Sequence, residues 1–174
     1  VTVEGWKRSW VTRSTSELQT YVGAQPAKNS QINGLLLPLE EIDESLLKRE
    51  QDYRFVQLDL SMLSLHVESS RAQMASVEDK QIWMCETLSV DPADPQHPVY
   101  QSYVDTCLIG CLEAGGETFA EAFVQSTHLW EQHWVNDRAQ PNYPRAARLT
   151  GQHHEAIDTL LAKCGILSHR KETP

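Results

Sequence analysis

At 174 residues, with 40% apolar and 22% charged residues, the chain has ordinary globular composition and the length of one domain, enough to bury a core without metal or disulfide support. Its net charge of −9 repels phosphate backbones and anionic lipid, which argues against nucleic acid and membranes as partners. No window approaches 18 consecutive apolar residues and residues 1–10 carry no apolar secretion core, so no membrane span is expected and a cytoplasmic location follows.

The first half reads as strands. Residues 6–11 form a mixed apolar and basic run of strand length, and 18–22 a second one, closed by Gly23 and Pro26. Residues 32–37, with Asn33-Gly34 near the start, suit a short buried strand. A short helix is predicted over 39–49. Leu39, Ile42, Leu46 and Leu47 recur at helical spacing, Glu40, Glu41, Asp43 and Glu44 crowd its start, and Lys48 and Arg49 its end; each sign of charge suits its end of the helix dipole. From Tyr53 to Leu60 apolar and polar residues alternate as in a strand. Residues 61–78 lack a period and read as a loop or irregular hairpin, 80–88 as another strand, and the proline-rich 91–98 as a loop.

The second half reads as helices. Tyr100, Tyr103, Val104, Cys107, Leu108, Cys111 and Leu112 make one apolar stripe, ended by Gly115-Gly116. Thr118 with Glu121 suits a capping box for a second helix, whose inner face is Phe119, Ala122, Phe123 and Ser126. Residues 135–148 are polar and irregular. A last helix carries Ile157, Leu160, Leu161 and Cys164 and stops at Gly165. Strands first and helices later indicate an α+β protein rather than alternating βαβ units.

Most candidate constellations carry little chemistry. His128 and His133 are five apart, so on a helix they point well away from each other, and adjacent His153 and His154 do the same. No metal site is expected. Cys85, Cys107, Cys111 and Cys164 include no CxxC pair and sit in apolar segments, where burial blunts a thiol; an acyl hydrolase using Cys107 or Cys111 is therefore the weakest of the readings weighed. Most carboxylates fall in solvated runs. Glu50 differs, because it lies where a helix ends and a strand begins, a junction that can aim a side chain into a cleft while both elements hold its backbone. On position alone, a surface charge is the commoner outcome. Trp130 and Trp134, four apart, suit either the core or a homodimer contact.

The segments Asn33-Gly34-Leu35-Leu36-Leu37, Leu46-Leu47-Lys48-Arg49-Glu50 and Tyr53-Arg54 resemble the centre of the γ-glutamylcyclotransferase family. There an Asn-Gly strand leads to a short helix ending in Leu-Asp-x-x-Glu, followed by a Tyr that opens the next strand. Gly5-Trp6-Lys7-Arg8-Ser9-Trp10 resembles the family's early strand. Ser102-Tyr103-Val104-Asp105-Thr106, with Gly110-Cys111 and Gly115, resembles its long helix. The likeness covers roughly residues 3–116. It implies a small barrel-like mixed or antiparallel sheet with flanking helices within one domain, residues 117–174 being a helical C-terminal extension found in some members; Asn136-Asp137-Arg138 and Tyr143-Pro144-Arg145 lie in that extension and suggest no function.

By this resemblance Glu50 aligns with the family's catalytic glutamate, with Tyr53, Tyr103, Trp83 and Gly34 beside the substrate. For Tyr53, Tyr103 and Trp83 a core aromatic is an equally good reading. The implied chemistry is intramolecular aminolysis of a small γ-glutamyl compound, giving 5-oxoproline and an amine or amino acid. It needs a carboxylate to move protons, orientation and oxyanion stabilisation, and neither metal nor organic cofactor. Leu47 stands where the family has Asp, and Gln51 where Gly is common. The family's opening Tyr-Gly-Ser loop, which holds the substrate's glutamyl end, is not among these residues. Either a preceding segment supplies it, or the chain is a degenerate member and serves as a non-catalytic binding protein on the same scaffold.

Overall fold

The computed structural model describes residues 1–64, 77 and 79–172. A long antiparallel hairpin, β1 (Thr2–Ser14) and β2 (Gln19–Asn33), opens the chain. The register runs from Thr2 opposite Asn33 to Ser14 opposite Gln19, with shifts between Glu4 and Trp6 and between Trp10 and Thr12. The first shift lets β2 pass through Pro26, since a proline without an N–H is tolerated where the ladder is interrupted. That is why Gly23 and Pro26 do not close the second strand as the sequence suggests. The ladder reaches one pair further, with Val1 and Gly34 exchanging bonds of 2.9 Å. Beyond it the expected strand over 32–37 does not continue: Leu35 and Leu37 are 53% and 78% exposed, and no ladder partner follows them among the described residues.

Helix α1 (Glu44–Arg49) is shorter than the spacing predicts. Asp43 takes the N-cap, its side chain accepting from the Leu46 N–H, so Leu39 to Ile42 fall outside the helix. None of its residues is buried. It leads into β3 (Tyr53–Leu58), then a 3-10 turn (Leu60–Met62) and the two-residue β4 (Leu63–Ser64). Most of the loop expected over 61–78 lies outside the described residues. β5 (Ile82–Thr87) pairs antiparallel with β3, Tyr53 opposite Thr87 and Leu58 opposite Ile82.

β6 (Val99–Tyr100) precedes α2 (Gln101–Gln125). The two helices expected here form one helical run that breaks at Gly115-Gly116, where Gly116 has φ +69° and ψ −165°, a combination open essentially to glycine. β7 (Thr127–His128) adds to β1 in parallel, and β8 (Trp134–Asn136) lies within the stretch expected to be irregular. Helix α3 (Gly151–Lys163) starts at a capping box between Thr150 and His153, and β9 (Lys171–Glu172) pairs with β8.

The result is a mixed α and β fold, as the order of elements implied. Its strands fall into three sheets: β2-β1-β4 with β7 also on β1, the β3-β5 ribbon, and β6-β8-β9. They do not close into the barrel-like sheet expected, because no backbone pairing links the β3-β5 ribbon to the others among the described residues. β1 is buried almost throughout its second half and lies between two apolar clusters. One joins Trp10 to Val104, Leu108, Val124, Trp130, Trp134, Ile157 and Leu161; the other joins Val3, Trp6, Ile32, Leu58 and Ile82. Trp130 and Trp134 are core residues, 4% and 1% exposed, so they do not supply the surface of a dimer contact. No described helix is long and apolar enough to cross a membrane.

The tail has structural work that the sequence does not disclose. The buried Asp137 carboxylate accepts from the Ser102 N–H at 2.8 Å and the Ser102 hydroxyl at 2.7 Å. It thus caps α2 from 35 residues away, where Tyr100 offers no side-chain cap. Arg138 grips Asp105 with two 2.7 Å bonds and reaches Asp158 at 2.9 Å. Arg170 closes the network on Asp158 at 2.8 Å. The Asp105 side chain is only 4% exposed, so removing Arg138 takes the arginine from a buried carboxylate that keeps the Gln101 amide at 2.6 Å and His154 at 3.8 Å. Arg138→Met is expected to cost about 3–5 kcal/mol in urea denaturation, and Asp105→Asn added to it to recover part of that loss.

Candidate functional site

A cavity of about 330 Å³ lies between the β1-β2 hairpin and the β3-β5 ribbon, with α2 contributing Tyr103. Its walls are mostly apolar: Val3, Ile32 and Leu36 on one side, Leu58, Ile82 and Met84 on the other. Small-molecule sites commonly have this size and a few polar groups in an apolar lining. All five positions singled out in the sequence, Gly34, Glu50, Tyr53, Trp83 and Tyr103, contribute to this one lining. They come from five different segments of the chain.

Glu50 closes α1. Its N–H donates to Leu46 and its carbonyl accepts from the Tyr53 N–H, both at 2.9 Å, so helix and strand fix the backbone that carries the carboxylate. The side chain is 21% exposed. Oε1 accepts from Arg49 Nε at 2.7 Å, and no other hydrogen bond reaches the carboxylate among the described residues. The Arg49 side chain is 57% exposed, and a pair of that kind is worth about 0–1 kcal/mol. It does not lock Glu50 away from a ligand.

The two tyrosines are neutral in this setting. The Tyr53 hydroxyl donates to the Val22 carbonyl at 2.8 Å, tying β3 to β2; burial pushes its pKa well above the phenol range. Burial does the same to Tyr103, whose hydroxyl also pairs with Cys107 one turn on. The Tyr103 ring meets Tyr21 and Tyr143 edge-on or tilted, with centroids 4.8 and 4.9 Å away. Both rings shape the lining, and neither acts as a base. Trp83 is 42% exposed and lies at the rim, shared with the outer groove formed by Leu35 to Ile42. Gly34 is not demanded by crowding, since a Cβ there would meet nothing within 4 Å. Leu47 is half exposed and is not among the described residues that line the cavity.

Comparison of the chain with known protein families, curated proteins and solved structures finds no match. The resemblance described above therefore rests on the quoted sequence segments alone.

Sequence reasoning missed Arg8 in the lining. It is 8% exposed. Its Nε donates to Thr127 Oγ1 at 3.0 Å, Nη1 to the Asn33 carbonyl at 3.0 Å, and Nη2 to Asn33 Oδ1 at 2.6 Å and Ser126 Oγ at 2.7 Å. The Phe123 ring lies 4.0 Å from the guanidinium carbon. Burial lowers its pKa to about 10, so it stays a cation near neutral pH. The signal was available: Trp6, Arg8 and Trp10 share one parity in β1, and both tryptophans are buried.

No three His, Cys, Asp or Glu side chains converge on a metal position among the described residues. The cysteines are free thiols. Burial raises Cys85 to about 11, with the Glu50 charge adding to it, and raises Cys107 to about 12 and Cys111 to about 11. The thiolate is the reactive form. In the folded protein at pH 8, iodoacetamide should therefore label these three at least about tenfold more slowly than a free cysteine, followed by mass spectrometry.

Proposed function

We propose that this chain is a γ-glutamylcyclotransferase-type enzyme that releases 5-oxoproline from a small γ-glutamyl compound, with Glu50 as general acid and base. The observation that carries this is the convergence of Gly34, Glu50, Tyr53, Trp83 and Tyr103 on one cavity of about 330 Å³. The size suits an amino-acid-like molecule and excludes a macromolecular substrate's bulk.

The Glu50 carboxylate takes a proton from the substrate's α-ammonium. The free amine then attacks the γ-carbonyl carbon, forming the ring C–N bond. As the tetrahedral centre collapses, the original amide C–N bond breaks and Glu50 returns the proton to the departing nitrogen. The ring nitrogen passes on a second proton, so the lactam keeps one N–H and the leaving group departs as an ammonium ion. The apolar walls exclude water from the tetrahedral centre and hold the substrate folded for ring closure, where orientation supplies much of the rate. The weak Arg49 contact lets Glu50 Oε1 exchange between arginine and substrate, while Oε2, which accepts no hydrogen bond among the described residues, meets the ammonium.

The test is to supply γ-glutamyl dipeptides and γ-glutamyl amines and measure 5-oxoproline. Glu50→Gln should lower kcat by about 10²–10⁴-fold with little loss of folding stability, because among the described residues the Glu50 carboxylate hydrogen-bonds to the exposed Arg49 alone. Unchanged turnover in that variant would remove Glu50 from the mechanism. Ligand binding without turnover in the parent protein would favour a non-catalytic binding protein on the same scaffold.

A further inference from the structure

Among the described residues, Arg8 carries a charge without a counter-ion. Every recorded acceptor of its guanidinium is a neutral oxygen: the Asn33 carbonyl and side chain, Ser126, Thr127 and, at 3.5 Å, the Phe123 carbonyl. No carboxylate lies within 4.0 Å among the described residues. Two partly buried guanidiniums are treated differently. Arg138 is held by Asp105 and Asp158, and Arg170 by Asp158. The Phe123 and Ser126 groups belong to the end of α2, whose dipole offers about half a negative charge. That leaves roughly half a positive charge uncompensated beside a mostly apolar cavity. Nη1 makes a single recorded bond, to the Asn33 carbonyl, and its second N–H has no acceptor among the described residues.

We propose that Arg8 is the anion-binding group of this cavity and holds a carboxylate of its occupant. The deeper claim, which rests on the reaction proposed for Glu50, is that the site selects a small zwitterion. Arg8 meets the α-carboxylate while Glu50 meets the α-ammonium, and the apolar walls enclose the methylene chain. Two opposite charges contributed from β1 and the end of α1 recognise an α-amino acid head group and discriminate against a neutral amide of the same shape, because that amide leaves the Arg8 charge unpaired. The bound carboxylate also orients the α-amine, so Arg8 determines specificity and takes no part in proton transfer.

The probe is 5-oxoproline against 5-oxoprolinamide, titrated into the full chain by calorimetry. The two have the same ring and differ only in the carboxylate. The expected result is at least about tenfold tighter binding of 5-oxoproline. Arg8→Lys should retain a reduced preference, because a lysine keeps the charge without the fork of donors. Arg8→Met should abolish the preference; its thermal unfolding is measured alongside, and the Lys variant decides if the Met variant does not fold. Glu50→Gln should keep the full preference, since neither probe carries an ammonium. Equal binding of the two probes by the parent protein, or an undiminished preference in Arg8→Lys and Arg8→Met, overturns the role of Arg8 even if γ-glutamyl turnover is found. A clear preference with no turnover keeps Arg8 as the carboxylate site and removes the reaction.

Discussion

Antiparallel pairing of Thr2–Ser14 with Gln19–Asn33 places β1 between two apolar clusters, and the positions of the remaining elements follow from it. The strand delivers Trp10 to the cluster built by α2 and α3, and Val3 and Trp6 to the one shared with the β3-β5 ribbon. The second half of β1 is buried on both faces and so has no tolerance for a one-residue slip, which would exchange its odd- and even-numbered side chains. The two register shifts absorb this demand locally. They allow Pro26 within β2 and bring the ladder to its end at Asn33 and Gly34, next to the cavity.

Arg8 converts that ladder into a three-way joint. Through Asn33 it holds the end of β2, and through Ser126, Thr127 and the Phe123 ring it holds the end of α2. Asn33 repeats the connection by donating to the Phe119 carbonyl at 2.9 Å. The break at Gly115-Gly116 is what turns the last part of α2 to meet this joint. The protein therefore uses one buried cation to set a cavity wall, and a separate, charge-matched network of Arg138, Asp105, Asp158 and Arg170 to fasten its tail. The contrast matters physically. In the tail network charges of both signs are paired, as expected for a purely structural clasp. At Arg8 the acceptors among the described residues are all neutral oxygens.

Parts of the candidate site were legible before any coordinates. Glu50 stood out from the other acids because it joins a helix to a strand, and Tyr53 because it opens that strand; both assignments of place hold. Arg8 was readable in principle from its parity with Trp6 and Trp10. Parity alone does not separate it from a solvent-facing basic residue in a mixed run. Asp137 and Arg138 were not readable. Their partners lie 35 and 33 residues away, and nothing local distinguishes a buried aspartate that caps a distant helix from an exposed one. Gly23 and Pro26 misled for a related reason: both are stop signals in an isolated strand, yet a long hairpin with an irregular register carries them through.

The sequence by itself determined that the fold mixes α and β, with the long strands before the long helices. The apolar stripe from Tyr103 to Leu112, the alternation from Tyr53 onward and the glycines at 115, 116 and 165 are local patterns, and local backbone preference enforces them. Tertiary structure alone decided which faces meet. It brought Arg8, Asn33, Glu50, Tyr53, Trp83 and Tyr103 around one cavity, and it set neutral acceptors around Arg8 and carboxylates against Arg138 and Arg170. Periodicity states which side of an element is apolar. It does not state which other side will cover it, because that choice rests on long-range packing and register summed over the whole chain.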